Sequence, residues 1–396
     1  MTDPSHEPNA PYLVFGSPFI GEEEIEEVVD SMRAAWLGTG PKVARFEERM
    51  RAYLGAEHVV AVNSCTAALH LSMLVSDVGP GDEVITTAMT FVATANAIVH
   101  TGATPVLVDC EPDTGLIDPA RIREAITPRT RAIVPVHLYG RACDMDAITA
   151  IAREHDLRVI EDAAHALETR YRGRKVGTIG DLTAFSFYVT KNVTTGEGGL
   201  VATSDADLAG RIKTLALHGL SSDAWMRFSD EGYRHYACVF PGYKYNMMDL
   251  QAAIGLHQLD RVDGWSERRR ELWDRYDQAF ADLPVRTPPA PPDEPGTTHA
   301  RHLYTLLVDG DEAGVDRDTV MQRLHHMGVG SGVHYMGVHL HPYYRDRFGT
   351  TPDDFPNATH ISQRTLSIPF SPGLTDADAE RVIESVRSAL GREAAP

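Results

Sequence analysis

Lys191, in the segment FSFYVTKNVTTGEGG at 185–199, is the residue of this sequence best suited to covalent chemistry. The chain holds five lysines (Lys42, Lys175, Lys191, Lys213 and Lys244) among 37 basic residues, so few side chains offer a primary amine. Heavy use of arginine is a mark of a GC-rich genome, yet it narrows the field. An unperturbed lysine, with a pKa of about 10.4, is neutral in roughly one molecule in two thousand at pH 7. A lysine that forms a Schiff base therefore needs burial or a neighbouring cation to lower that pKa. The aromatic strand end FSFY could supply a dry setting. A lysine on a Gly- and Thr-rich turn is more often a solvated surface residue, so Lys191 alone decides nothing.

Two upstream motifs change that balance. In VIEDAAHA (159–166) a strand delivers Asp162 and His165 at its carboxyl end, where open α/β sheets place ligands. An acid there could bind a metal, a ribose or a ring nitrogen. In pyridoxal-phosphate (PLP) chemistry such an acid keeps the pyridine protonated, so that the ring accepts electrons. His165 could then border the ring or its phenolic oxygen. In VAVNSCTAALHLSML (60–74) a strand enters Asn63–Ser64 and a helix follows. Helix N-termini bind phosphate through free N–H groups, so the Thr66 and Ala67 amides and the Thr66 hydroxyl are candidate donors. Each motif has an ordinary explanation, since Asp–His pairs are common structural features and Asn and Ser are common caps.

These residues need a sheet to hold them. Strands are expected at 58–62, 83–87, 104–109, 132–137, 157–161, 184–187 and 200–203, with helices at 66–74, 92–100 and 145–154. Runs such as PVLVD and RAIVPV read as strands buried on both faces of a mostly parallel sheet. A helical stretch from Met248 to about Phe280, a Pro-rich linker at 284–295, strands at 302–308 and 329–335, and helices at 318–326 and 377–390 indicate a second, α+β domain. The 396 residues exceed what one core holds. The expected division is residues 1–255, with 1–14 a flexible lead-in, and residues 256–396.

Net charge is −19, which argues against nucleic acid as a partner. No apolar run is long enough for a membrane span, the N-terminus does not read as a signal peptide, and Cys65, Cys110, Cys143 and Cys238 lack metal or disulfide spacing. A reduced, cytoplasmic protein is the expectation. The histidines of VHYMGVHLHPYY (333–344) have no ligand spacing for zinc, TTGEGG lacks the setting of a dinucleotide loop, and DGDEAGVDRD (309–318) lacks EF-hand spacing. No metal is expected.

Taken together, WLGTGPKVARFEE, NSCTAALHL, GDEVITTAMTFVATANA, EDAAHA, FSFYVTKNVTTGEGG, HGL and PGYKYNMMDLQAAI resemble the DegT/DnrJ/EryC1/StrS family of PLP-dependent sugar aminotransferases, over about residues 15–390. The resemblance implies a fold-type I PLP transferase with an about seven-stranded large domain and a smaller α+β domain. It implies that Lys191 carries the cofactor as a Schiff base and shuttles the proton. Asp162 would hold the pyridinium, Phe91 would stack on the ring, and His165 would border it. Thr66, Ala67 and Ser186 would bind the phosphate, and Asn246 would reach the cofactor of a neighbouring subunit, which implies a homodimer. His334 and Tyr335 would approach the sugar. The pyridoxamine form would arise in a half-reaction with L-glutamate.

Relatives that dehydrate at C3 replace the lysine with histidine, so Lys191 favours transamination. The pattern looks most like the branch that aminates C4 of nucleotide-linked 4-keto-sugars. The expected substrate is dTDP-4-keto-6-deoxyglucose, giving a dTDP-4-amino-4,6-dideoxyhexose, with antibiotic or surface-glycan synthesis as the setting. A UDP-4-keto-pentose or a 3-keto-sugar is the alternative substrate. A PLP-binding regulator without turnover is the alternative of another class. Phe91, often Trp in keto-pentose relatives, and Glu168, often Gly, depart from the pattern.

Overall fold

The computed structural model describes residues 11–221 and 237–392. Residues 1–10 of the expected lead-in and residues 222–236, which follow shortly after the HGL motif, lie outside them.

Twelve strands are present among the described residues: β1 (His58–Val62), β2 (Glu83–Thr87), β3 (Thr104–Val108), β4 (Thr130–Val134), β5 (Arg158–Asp162), β6 (Arg170–Tyr171), β7 (Arg174–Lys175), β8 (Leu182–Ser186), β9 (Gly199–Thr203), β10 (Val285–Arg286), β11 (Tyr304–Val308) and β12 (Thr365–Ile368). Seven of them form the main sheet, in the order β1-β9-β8-β5-β4-β2-β3. The five strands from β3 to β8 run parallel, and β9 is antiparallel to both β8 and β1. The chain is thus a fold-type I α/β protein with a mostly parallel sheet, as expected.

Both faces of the sheet are buried, which explains why its strands are continuous apolar runs rather than alternating ones. One face packs Val60, Val62, Ile160 and Val201 against Leu71 and Ile212 of helices Cys65–Val75 and Ala206–Ala216. On the other face, Ala61, Phe185 and Leu200 meet Phe46 and Met50 of helix Pro41–Leu54 and Leu256 of the long helix Asp249–Phe280. Farther along, Ile85, Ile133 and Val159 meet Ile148 and Ile151 of helix Met145–Glu154. Such caps as Asp144, whose carboxylate accepts the Ala147 N–H, and Asp205, which accepts from Asp207 and Leu208, start these helices.

The far half of the long helix leaves the main sheet and carries Leu272, Trp273, Tyr276 and Phe280 into a second core beneath the antiparallel sheet β10-β11-β12. The expected boundary at residue 256 falls inside this helix. Residues 329–335, expected as a strand, contribute only isolated bridges, Leu13 with Val329 and Gly332 with Ser367. Gly328, Gly330 and Gly332 alternate there and remove the side chains that a strand face would pack. The third strand of the small sheet is instead Thr365–Ile368. The end of the expected lead-in is tied down, with the Leu13 N–H donating to Gly328 O and the Gly330 N–H to Leu13 O.

One glycine fixes where the sheet meets the site. Gly199 opens β9 opposite Val62 and Ser186, and a Cβ there would lie 2.3 Å from the Ser64 carbonyl carbon and 2.6 Å from the Cys65 nitrogen. Because the obstacle is backbone at a helix start, it cannot step aside. Gly199→Ala is expected to cost about 1–3 kcal/mol by overpacking and to lower Tm by several degrees in a thermal melt.

Candidate active site

The site gathers at the carboxyl ends of the parallel strands. β5 ends in Asp162, which is 5% exposed. Its Oδ2 accepts from the Thr94 hydroxyl at 2.8 Å and its Oδ1 from the Ala164 N–H at 3.1 Å. Burial pushes the Asp162 pKa up, and these two bonds together with the Lys191 ammonium pull it back. A buried carboxylate in this balance would be stabilised by a further cation within reach, which a protonated ring nitrogen supplies.

Lys191 follows β8, with its N–H donating to Tyr188 O. Loss of water lowers its amine to about 8, and the Asp162 carboxylate opposes that shift. Burial holds the Cys65 thiol well above its usual range, so it stays protonated. The dry setting expected from FSFY is therefore present, with Phe185 and Phe187 buried beneath the loop.

The helix after β1 presents the expected cup, with one change. Ser64 caps it, and its Oγ takes the Ala67 N–H at 3.1 Å. Ala67 thus has its amide occupied, whereas the N–H groups of Cys65 and Thr66 have no protein partner among the described residues. The amide most available to an anion lies one residue earlier than expected. Ser186 pairs with Gly199 across β8 and β9, and Gly199 abuts Ser64, so the Ser186 hydroxyl reaches the same corner. Its Oγ accepts the Tyr188 N–H at 3.3 Å, which leaves the hydroxyl proton free to donate. Asn246 bridges to Val62, donates to the Thr39 hydroxyl at 2.6 Å, and keeps a buried Oδ1 without a partner.

His165 is neutral, because burial drives its pKa far down and Lys191 adds to this. Its Nδ1 accepts the Tyr139 N–H at 3.2 Å, so the ring proton sits on Nε2 and donates to the Tyr335 hydroxyl at 2.9 Å. Burial likewise keeps the Tyr335 phenol protonated, and its own hydrogen remains available to a ligand. The Tyr335 ring lies 5.5 Å from Phe91, which is 53% exposed at the start of helix Val92–His100. His334 binds Ser367 at 2.8 Å and packs on Phe15. The other histidines of that segment are engaged separately, His339 with Thr359 and His341 with Met336 O.

The structure therefore brings Lys191, Asp162, His165, Phe91 and Tyr335 into one neighbourhood, with Thr66 and Ser186 at the corner where the helix starts beside β9. Reading motifs did not single out Thr94, Tyr139, Asn192 or His302. Thr94 was findable, since it follows Phe91 by one helical turn. The others depend on tertiary contacts. These residues fit PLP: free amides and hydroxyls for its phosphate and a desolvated acid for its ring nitrogen.

Because only the neutral amine attacks a carbonyl, trapping of a small aldehyde on Lys191 by borohydride should rise with pH and level off above about 8, not above 10.5. Peptide mass mapping after each pH step reads this out. In Asp162→Asn the midpoint should move down, because the carboxylate that favours the ammonium is gone.

The DegT/DnrJ/EryC1/StrS aminotransferase family profile matches residues 18–387. The spore coat polysaccharide biosynthesis protein SpsC of Bacillus subtilis (strain 168) is 51% identical over 377 residues, covering 95% of this chain and 96% of that protein. Among solved structures, the PLP form of the putative sugar aminotransferase Spr1654 from Streptococcus pneumoniae is 34% identical with a TM-score of 0.87, covering 96% of this chain and 99% of that one; its pyridoxamine-phosphate form matches equally well, with a TM-score of 0.87. DesI, solved in the presence of its TDP-sugar product, is 35% identical with a TM-score of 0.84, covering 97% of this chain and 94% of that one. The chain belongs to the DegT/DnrJ/EryC1/StrS family and is a PLP-dependent sugar aminotransferase.

Proposed function

We propose that the enzyme moves an amino group from L-glutamate to C4 of dTDP-4-keto-6-deoxyglucose, yielding a dTDP-4-amino-4,6-dideoxyhexose and 2-oxoglutarate. The observation that carries the catalytic part is the desolvated Lys191 amine beside Asp162. Support for the sugar is the likeness to DesI, whose product is a TDP-sugar. The likeness to SpsC favours a surface polysaccharide over an antibiotic as the destination.

In this reading Asp162 holds the ring nitrogen, with Thr94 fixing the carboxylate. Cys65, Thr66 and Ser186 hold the phosphate, and Phe91 covers the ring. PLP supplies the carbonyl carbon and the electron-accepting ring. Lys191 Nζ would hold the cofactor and would also serve as the base that moves a proton beside the substrate, a role suited to an amine near pKa 8. His165, neutral and donating through Nε2, orients Tyr335, whose hydroxyl hydrogen meets the substrate, and His334 lines the same entrance.

The unit of function is proposed to be a cytoplasmic homodimer of two-domain chains that divide near residue 256. Trp36, Leu37, Met248, Val239 and Phe240 are exposed apolar residues, a feature of surfaces that pair. Asn246 would then serve the partner's cofactor. No helix among the described residues is long and apolar enough to cross a membrane.

Lys191→Arg should abolish turnover while leaving the fold intact by circular dichroism. A panel of dTDP- and UDP-linked 3-keto and 4-keto sugars with L-glutamate tests the substrate; conversion of 3-keto sugars alone would overturn the C4 assignment. Mixing inactive Lys191→Ala and Asn246→Ala chains tests the shared site. Random pairing of equal amounts makes about half the dimers mixed, each with one intact site, so about a quarter of wild-type activity should return. No recovery would place both residues in the same chain's site.

A further inference from the structure

Behind Lys191 lies a buried polar cluster that the reaction scheme above does not use. Glu168 and Arg269 form an ion pair and are 8% and 1% exposed. The Asn192 amide, on the residue after Lys191, donates to both Glu168 oxygens at 2.9 and 3.0 Å and to Ala300 O at 3.3 Å. Arg269 Nε donates to the same Ala300 carbonyl at 3.3 Å. With its NH2 group turned toward Glu168, Asn192 presents Oδ1 to His302 Nδ1 at 3.0 Å. Since that oxygen only accepts, the His302 proton sits on Nδ1. The His302 ring stands 4.3 Å from that of His165.

We propose that the Glu168–Arg269 pair is a positioning device for the reactive lysine: it fixes Asn192, and through Asn192 it sets the place of Lys191 and the tautomer of His302. The proposal rests on the reading of Lys191 as the cofactor-bearing residue. Glu168 sits at a position where the family pattern often has glycine. Arg269 comes from the long helix beyond residue 256, Glu168 from the segment after β5, and Asn192 from the loop after β8. Three distant parts of the chain thus converge on one side-chain amide.

Glycine at 168 would leave Asn192 with water or Ala300 O alone, and its amide free to turn over. A carboxylate that accepts both bonds removes that freedom. Arg269 makes the carboxylate tolerable in a dry place, where a lone charge would be costly. Charged groups facing the pair are Lys175, Arg170 and Asp263, with Tyr53 alongside. Facing Lys191 are the Asp162 carboxylate and four titratable groups held uncharged by burial, Cys65, His165, His302 and His334.

The test measures the rate at which full-length apoenzyme takes up PLP at pH 8, followed by the cofactor's absorbance, together with Tm. Wild-type enzyme reduced with borohydride and mapped by mass first establishes that the cofactor sits on Lys191; failure there overturns the reading of Lys191 and not the cluster's effect. Glu168→Gln and Asn192→Ala should each slow uptake about tenfold, the loss expected for one charge-assisted hydrogen bond. Combined, they should still slow it about tenfold, because they act in one chain of contacts. Glu168→Gln leaves Arg269 uncompensated and should lower Tm, so Glu168→Gln with Arg269→Met removes both charges. That variant should regain Tm and stay slow. Fast uptake in this variant, or uptake by Glu168→Gln within twofold of wild type, would reduce the pair to a structural tie and overturn the proposal. A product of about a hundredfold in the combined Glu168→Gln/Asn192→Ala variant would overturn the route through Asn192.

Discussion

Desolvation of one amine governs this structure. Lys191 works only if it is kept from water, and burial lowers its pKa to about 8. A charged amine in a dry place is unstable without a partner, so the same burial demands the acid at the end of β5. That acid is buried too, and needs the Thr94 hydroxyl and the Ala164 amide. Each group in the site is thus present because its neighbour has lost water.

Neutral rings and hydroxyls do the remaining polar work. Burial keeps His165 and His302 uncharged and keeps the phenol of Tyr335 protonated. Their hydrogen positions then follow from single fixed donors and acceptors, the Tyr139 amide for His165 and the Asn192 oxygen for His302. A backbone amide cannot change its role, so the direction of the hydrogen-bond chain from His165 to Tyr335 is set by the fold. Directional donors of this kind cost no reorganisation during reaction.

The long helix ties this chemistry to the rest of the molecule. Its first turns pack on the main sheet through Leu256, its middle sends Arg269 toward Glu168, and its last turns anchor the small sheet through Trp273 and Tyr276. Displacement of the small domain relative to the large one would therefore be felt at Asn192. It would also be felt at Tyr335, which belongs to the segment tethered by Gly332 and Ser367.

Read alone, the sequence was enough for the seven-stranded sheet, because strands buried on both faces are apolar throughout and stand out between helical patterns. It also marked Lys191, Asp162, Phe91, His165 and the helix start near Thr66 as candidates, since these lie in short motifs beside strand ends. Helices Glu22–Arg33 and Pro41–Leu54 were less legible, because only one face of each meets the core and charged residues fill the rest. Residues 329–335 misled, as their β-branched and aromatic residues suggest a strand while alternate glycines prevent one. The Ser64 cap is local and follows from residue type, though two adjacent cap residues left open which one takes the Ala67 amide; tertiary structure alone decided that Glu168, Asn192 and Arg269 meet. Those contacts join residues as many as 101 positions apart, and no local periodicity encodes a hydrogen bond across such a separation.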